Sequence, residues 1–196
     1  MPPTLDFRRD IIPFLIATIG EFVALVLWLQ WLDAGAVAAA HAALWIGFAV
    51  ERIAVAVWIR YVYAPAAGVT SGPIWTTGIF LFLITLAEVG IWDVWLSVSR
   101  SSGLLAGGAL LFVLIHALHS LEMGAVKSRS PLVYARNART LTFSVMEALG
   151  GAGWLWLYSI GPVLGAAVLL AGLSIEHLVQ GRLLKPQVSP AKATAH

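Results

Sequence analysis

The sequence predicts an all-α integral membrane protein with six transmembrane helices arranged as three hairpins, and three observations point to it. Of the 196 residues, 60% are hydrophobic and only 11% charged, well outside the balance of a soluble domain. Apolar stretches of roughly 20 residues, each long enough to cross a hydrocarbon core of about 30 Å as a helix, recur along the whole chain. The basic residues gather in alternate connections, as membrane topology requires.

The six spans lie at about 11–32, 40–60, 75–98, 104–126, 140–160 and 163–183. The first has a basic flank in FRRDIIPFL, but no small-residue cleavage site ends it and a second span follows closely. It therefore reads as a retained helix and not a signal peptide. Short turns near LDAGAV, SRSSG and SIGP join spans one to two, three to four and five to six as hairpins. The other connections, YVYAPAAGVTSGP and SRSPLVYARNAR, are longer, and their Pro, Gly and Ser content marks them as loops. The organisation expected is one transmembrane domain over 1–184, with repeats at about 11–60, 75–126 and 140–183, and a flexible tail over 185–196 (KPQVSPAKATAH).

With six crossings, Arg8, Arg9, Arg60, Lys127, Arg129, Arg136, Arg139, Arg182, Lys185 and Lys192 fall on one side and Arg100 alone on the other. The positive-inside rule makes that side the cytoplasm and places both termini there, in a cell's inner membrane. The net charge of +2 says little about partners, because topology dictates where the cations sit. No basic patch with interleaved aromatics speaks for nucleic acid. The lack of cysteine excludes disulfides, thiolate metal sites and thiol nucleophiles.

The glutamates carry the most information. There are six, Glu21, Glu51, Glu88, Glu122, Glu147 and Glu176, one in each span and none in a loop. An acidic residue at the centre of a membrane helix costs about 2.5–3.5 kcal/mol on insertion scales, so this placement reverses the ordinary one. With Asp93 the spans hold seven acids, against one cation, Arg52, that does not lie at a span end. Each acid must be protonated, paired, metal-bound or exposed to a water-filled cavity. Arg52, roughly 12 Å along the helix from Arg60, must snorkel or pair, and a glutamate of another helix is the natural partner.

Aligning the chain on these residues exposes a weak internal repeat. Spans one, three and five read GEFVALVLW, AEVGIWDVW and MEALGGAGW, with Trp seven residues after Glu each time: Glu21 and Trp28, Glu88 and Trp95, Glu147 and Trp154. Spans two, four and six read FAVER, HSLEM and LSIEH. Three similar hairpins side by side have pseudo-threefold symmetry and can direct their acidic faces at a common axis. Trp28, Trp31, Trp95, Trp154 and Trp156 fall near the outer ends, where an interfacial aromatic belt is expected. Glycines 47, 124, 150, 151, 153 and 172 permit close helix approach, and GGAG in the fifth span is the expected flexible point.

The stretch IHALHSLEMG places His116, His119 and Glu122 at successive three-residue steps, near one helix face, and Glu176 adjoins His177 in the sixth span. This is neither the HExxH zinc motif nor the paired ExxH of di-iron bundles. A metal reading rests on donor types, and His116, His119, Glu122, Glu176 and His177 are its candidate ligands. No cofactor is specified, although a divalent metal is admissible. His41, near an outer helix end, is expected to bond a neighbouring helix or meet water. Counted back to the nearest basic residue, the glutamates lie at depths from about 7 Å for Glu122 to about 18 Å for Glu21, a staggered column and not one ring. Asp93 would extend it outward.

Two functions follow. The first is binding and transport of a cation, a divalent metal or an organic cation, coupled to protons, with Glu21, Glu51, Glu88, Glu122, Glu147, Glu176 and Asp93 as ligand or proton sites and Arg52 as internal counter-charge. The surplus of carboxylates beyond the two or three that catalysis needs favours it. The second is an intramembrane isomerase, cyclase or hydratase acting on an isoprenoid or other lipophilic molecule. There Glu88, His119 and Glu122 would be catalytic, and inward-facing Trp28, Trp92, Trp95 and Trp154 would stabilise positive charge. A subunit of an oligomer or larger complex, with its polar groups serving as interhelical glue, is the third reading.

Overall fold

Helices are the only regular structure in residues 11–63 and 77–184, the residues described in the computed structural model. They are α1 (Ile12–Asp33), α2 (Val37–Trp58), α3 (Gly78–Ser102), α4 (Leu104–Lys127), the short α5 (Pro131–Ala135), α6 (Ala138–Tyr158) and α7 (Pro162–Leu184). A π-helical turn, Ile59–Tyr63, prolongs α2.

Local chemistry sets the breaks. Proline occupies the first turn of α1, of α5 and of α7, where a missing N–H costs nothing. Gly35 (φ +77°) turns α1 into α2, and Gly103 (φ +93°) alone separates α3 from α4, a backbone region that L side chains rarely adopt. Ser128, in left-handed conformation, closes α4, with Arg129 N–H donating to Gly124 O at 2.9 Å. Asn137 caps α6, its Oδ1 accepting from Arg139 N at 2.9 Å and Thr140 N at 3.4 Å. The connection SRSPLVYARNAR is therefore partly ordered as α5, with Tyr134 buried, and is not the plain loop expected.

Five helices are long and apolar enough to cross a membrane: α1, α2, α3, α4 and α7. The chain is thus a multi-pass membrane protein by length and composition. The sixth expected span, α6, is a 21-residue helix but a less apolar one, diluted by Gly, Ser, Thr, Arg139 and Glu147. Arg8, Arg9, the 64–76 connection and the expected tail at 185–196 lie outside the described residues.

The six long helices close into a ring. Hairpins α1/α2, α3/α4 and α6/α7 pack tightly, and α2 meets α3, α4 meets α6, and α7 meets α1. Small residues bring the hairpin arms together. A Cβ added at Gly47 would lie 2.1 Å from Ala24 Cβ, one at Gly107 1.8 Å from Ser99 Oγ, and one at Gly172 2.7 Å from Gly150 Cα. The GGAG stretch is likewise packed: a Cβ at Gly151 would meet Leu111 at 2.9 Å and one at Gly153 would meet Val168 at 2.9 Å. Those glycines serve contact, and α6 runs through them unbroken.

Polarity is inverted relative to a soluble protein. Large apolar side chains such as Ile46, Ile79, Leu105 and Val163 cover the outside, while the interior holds two apolar layers with a charged one between them. The layer toward the tight turns contains Leu25, Trp28, Trp92, Trp95, Leu111 and Trp154. The layer toward the longer connections contains Phe14, Val55, Trp58, Met123, Tyr134 and Phe143. Trp28, Trp95 and Trp154 are thus fully buried, which corrects the belt expected for them; Trp31 (37% exposed) and Trp156 (58% exposed) fit it. Trp95 stacks on Trp154 at 6.5 Å between ring centroids and meets Trp92 edge-on at 5.1 Å.

Candidate functional site

Each long helix turns its one glutamate inward. Glu21 (α1), Glu51 (α2), Glu88 (α3), Glu122 (α4), Glu147 (α6) and Glu176 (α7) are all buried, and Arg52, His119 and His177 are buried with them. Side chains of helices that are not neighbours in the ring meet, Arg52 of α2 with Glu122 of α4 and His177 of α7 with Glu51 of α2. The result is a compact cluster, not the staggered column expected from helical rise, because depth counted from flanking basic residues assumes every flank to be level and ignores the reach of the side chains.

Arg52 organises one part of the cluster. Its Nη1 lies 3.3 Å from Glu51 Oε1 and 2.6 Å from Glu122 Oε1, while Nε donates to Glu88 Oε2 at 3.1 Å, an oxygen that Nη2 also contacts. The guanidinium therefore ties α2 to α3 and α4, as the need to pair a buried arginine requires.

The two histidines organise the rest. His119 Nε2 lies 3.2 Å from Glu147 Oε2 and 3.9 Å from Glu176 Oε1, and its Nδ1 is 3.0 Å from Ser144 Oγ. His177 Nε2 lies 3.6 Å from Glu51 Oε1 and 3.8 Å from Glu21 Oε2, and its Nδ1 is 3.0 Å from Thr18 Oγ1 and 3.3 Å from Glu176 Oε2.

Proton positions follow from the partners. Thr18 donates its hydroxyl hydrogen to Phe14 O at 2.8 Å, so its oxygen must accept from His177 Nδ1–H. Ser144 donates to Thr140 O at 2.8 Å, with His116 Nδ1 a further neighbour at 3.2 Å. His116 Nε2–H donates to Ala135 O at 3.0 Å, so the Nδ1 of a neutral His116 can only accept. In either use of the serine hydrogen, His119 is left to donate from Nδ1. With a proton on Nδ1, each imidazole turns toward carboxylate oxygens an Nε2 that offers them a lone pair if bare or an N–H if protonated.

Such an arrangement is electron-rich and needs a positive centre. A lone pair and a carboxylate oxygen at 3.2 Å repel unless a proton or metal ion lies between them. Glu147 makes no hydrogen bond with either oxygen among the described residues, and Glu51 Oε2 makes none. Six carboxylates against one guanidinium leave five negative charges if all are ionised. Among the described residues three groups have ligand atoms within 4.8 Å of one another: Glu21, Glu176 and His177; His119, Glu147 and Glu176; and Glu21, Glu88 and Glu147. Imidazole nitrogen with carboxylate oxygen is a donor set for zinc, manganese or iron.

Some expected residues lie elsewhere. Asp93 does not extend the cluster; it pairs with His41 Nε2 at 3.1 Å near the tight-turn end, with about a third of its side chain exposed. His116 stands behind His119 as a neighbour of Ser144 and contributes no atom to the three groups. Glu122 faces Arg52 and is likewise not in them, whereas Glu21 and Glu147, absent from the expected metal set, are. The residues that sequence reasoning missed are the hydroxyls. Thr18, Thr85 and Ser144 each stand three residues before a glutamate and each donate to the carbonyl four residues back, Thr85 to Leu81 O at 2.9 Å. A Ser/Thr-x-x-Glu pattern repeated in α1, α3 and α6 was the available signal. Compared with models of known families, with curated proteins and with solved structures, the chain matches none.

Proposed function

We propose that this membrane protein binds a divalent metal cation in its buried Glu/His cluster and carries it across the bilayer in exchange for protons. The carrying observation is the convergence of six glutamates from six helices on one buried layer that holds a single fixed cation, Arg52. Nothing in apolar packing calls for this, since each buried charge costs about 2.5–3.5 kcal/mol or more in the bilayer. Ligand atoms within 4.8 Å of one another suit a small ion better than an organic cation.

Proton exchange follows from charge. A layer left with five negative charges cannot persist when the cation leaves, so release has to bring protons in. The apolar layers on either side of the cluster make the arrangement occluded, and transport opens one layer or the other. In this reading α6 crosses with the other five helices, the hairpins are related by a pseudo-threefold axis, and both termini face the cytoplasm of the inner membrane.

Proteoliposome uptake of Mn(II) or Zn(II) tests the proposal. Glu147→Gln, which keeps shape and removes the charge opposite His119, abolishes uptake while leaving the helical fold intact. Undiminished uptake by that variant refutes the assignment.

A second reading, an intramembrane enzyme acting on an isoprenoid or other lipid, is favoured by one observation. Trp28, Trp92, Trp95 and Trp154 face inward with indole N–H groups unpartnered among the described residues. A groove of about 280 Å³ between α4 and α6, lined by Leu105, Gly108, Phe112, Ala148 and Ala152, would admit an apolar chain from the bilayer. A prenyl lipid co-purifying with metal-free protein, detected by mass spectrometry and elemental analysis, would favour the enzyme.

A further inference from the structure

We infer that the chain holds two divalent cations at once, one on each histidine, and that Arg52 fills the third equivalent place as a tethered cation. The inference rests on the cation-binding reading above and deepens it.

The ring has three seams between hairpins, and each brings a base from one hairpin to a glutamate of the next. At α7/α1, His177 meets Glu21; at α4/α6, His119 meets Glu147; at α2/α3, Arg52 meets Glu88. The three glutamates so matched, Glu21, Glu88 and Glu147, are themselves within 4.8 Å of one another and form the centre from which the seams radiate. At two seams the base is an imidazole held by a hydroxyl on its Nδ1 side, and in its neutral Nδ1–H form Nε2 offers a lone pair. At the third it is a guanidinium, which offers none and brings its own charge.

Each histidine has a carboxylate of its own across a seam, Glu147 for His119 and Glu21 for His177, and the two share Glu176. His119 Nε2 faces Glu147 and Glu176, and His177 Nε2 faces Glu51 and Glu21. The groups with a histidine whose ligand atoms lie within 4.8 Å of one another are His119, Glu147 and Glu176, and His177, Glu21 and Glu176; both oxygens of Glu147 are buried without a hydrogen bond, while Glu51 Oε1 is shared with Arg52 Nη1 at 3.3 Å. One nitrogen and two oxygens make a half-filled shell for a first-row divalent ion, with water completing it. Glu176 stands between the two, its Oε1 3.9 Å from His119 Nε2 and its Oε2 3.3 Å from His177 Nδ1, and belongs to both groups. Charge agrees: two divalent cations reduce the five uncompensated negative charges to one, whereas a single cation leaves three.

The test uses the full chain in detergent, stripped with chelator, dialysed against Co(II) or Zn(II) and analysed for metal per polypeptide. Two ions per chain are expected in the wild type, one in His119→Gln and one in His177→Gln. Co(II) absorption should fall by about half in each single variant. If a variant does not fold by circular dichroism, the wild-type stoichiometry decides alone. One ion per wild-type chain, or loss of all metal in either single variant, overturns the two-ion inference but leaves cation binding standing. No metal in the wild type overturns both.

Discussion

Removing the hydroxyl of Ser144 tests whether the histidines are positioned as ligands. In Ser144→Ala, His119 Nδ1–H loses its acceptor at 3.0 Å and the imidazole is no longer held with Nε2 toward Glu147 and Glu176. Loss of a partner that orients a metal-binding histidine typically weakens affinity 10–100-fold, or about 1.4–2.8 kcal/mol. The direct cost to folding is smaller, about 1 kcal/mol for one hydrogen bond. Competition titration with a chromogenic Zn(II) chelator should show the weakening at one ion only, while circular dichroism stays unchanged. Thr18→Ala should weaken the other ion through His177. Thr85→Ala is the control: it too stands three residues before a glutamate, its hydroxyl is bonded to Leu81 O, and no histidine is bonded to it among the described residues. Unaltered affinity in Ser144→Ala, or an equal loss in Thr85→Ala, would refute the reasoning.

Other outcomes follow from the same geometry. Gly172→Val puts a Cβ 2.7 Å from Gly150 Cα, a backbone atom that cannot yield, and overpacking of this kind costs about 1–3 kcal/mol. Gly90→Ala, where nothing lies within 4 Å, should instead gain about 0.8–1.0 kcal/mol of helix propensity, and thermal melts in detergent will rank the two. Arg52→Gln leaves Glu51, Glu88 and Glu122 without their counter-charge, and breaking a buried pair in this way costs about 3–5 kcal/mol; a melting temperature equal to wild type would contradict the pairing. Metal affinity should fall as pH is lowered, since carboxylates must lose protons to bind, and proton release on Zn(II) addition can be read in weakly buffered solution.

Much of the fold was legible in the sequence because burial in lipid leaves a coarse trace. The long apolar runs located all six long helices, and one glutamate per run announced an acidic interior. Arg52 declared its need for a partner, and Glu88 and Glu122 are the partners. The rotation of side chains about each helix was less visible. A helix apolar all round gives no face to read, so Trp28 and Trp95 could not be told from Trp31 and Trp156. The same limit hid the pairing of Asp93 with His41 and the place of His116 behind Ser144. The weakly apolar character of α6 stems from glycines and hydroxyls that pack against α7 and orient His119, so the features that blur it as a span are those that build the site.

The seams bear on how the protein is made. Arg52 is synthesised in the first hairpin, but Glu88 and Glu122 arrive only with the second, and His177 reaches Glu21 only when the last helix has emerged. A nascent chain stalled after α2 would hold a guanidinium partnered only by Glu51, and one stalled after α4 would lack the histidine partner of Glu21 and the glutamate partners of His119. Closure of the ring therefore waits for α7, and products truncated before it should be marked for membrane proteolysis by the charges they fail to hide.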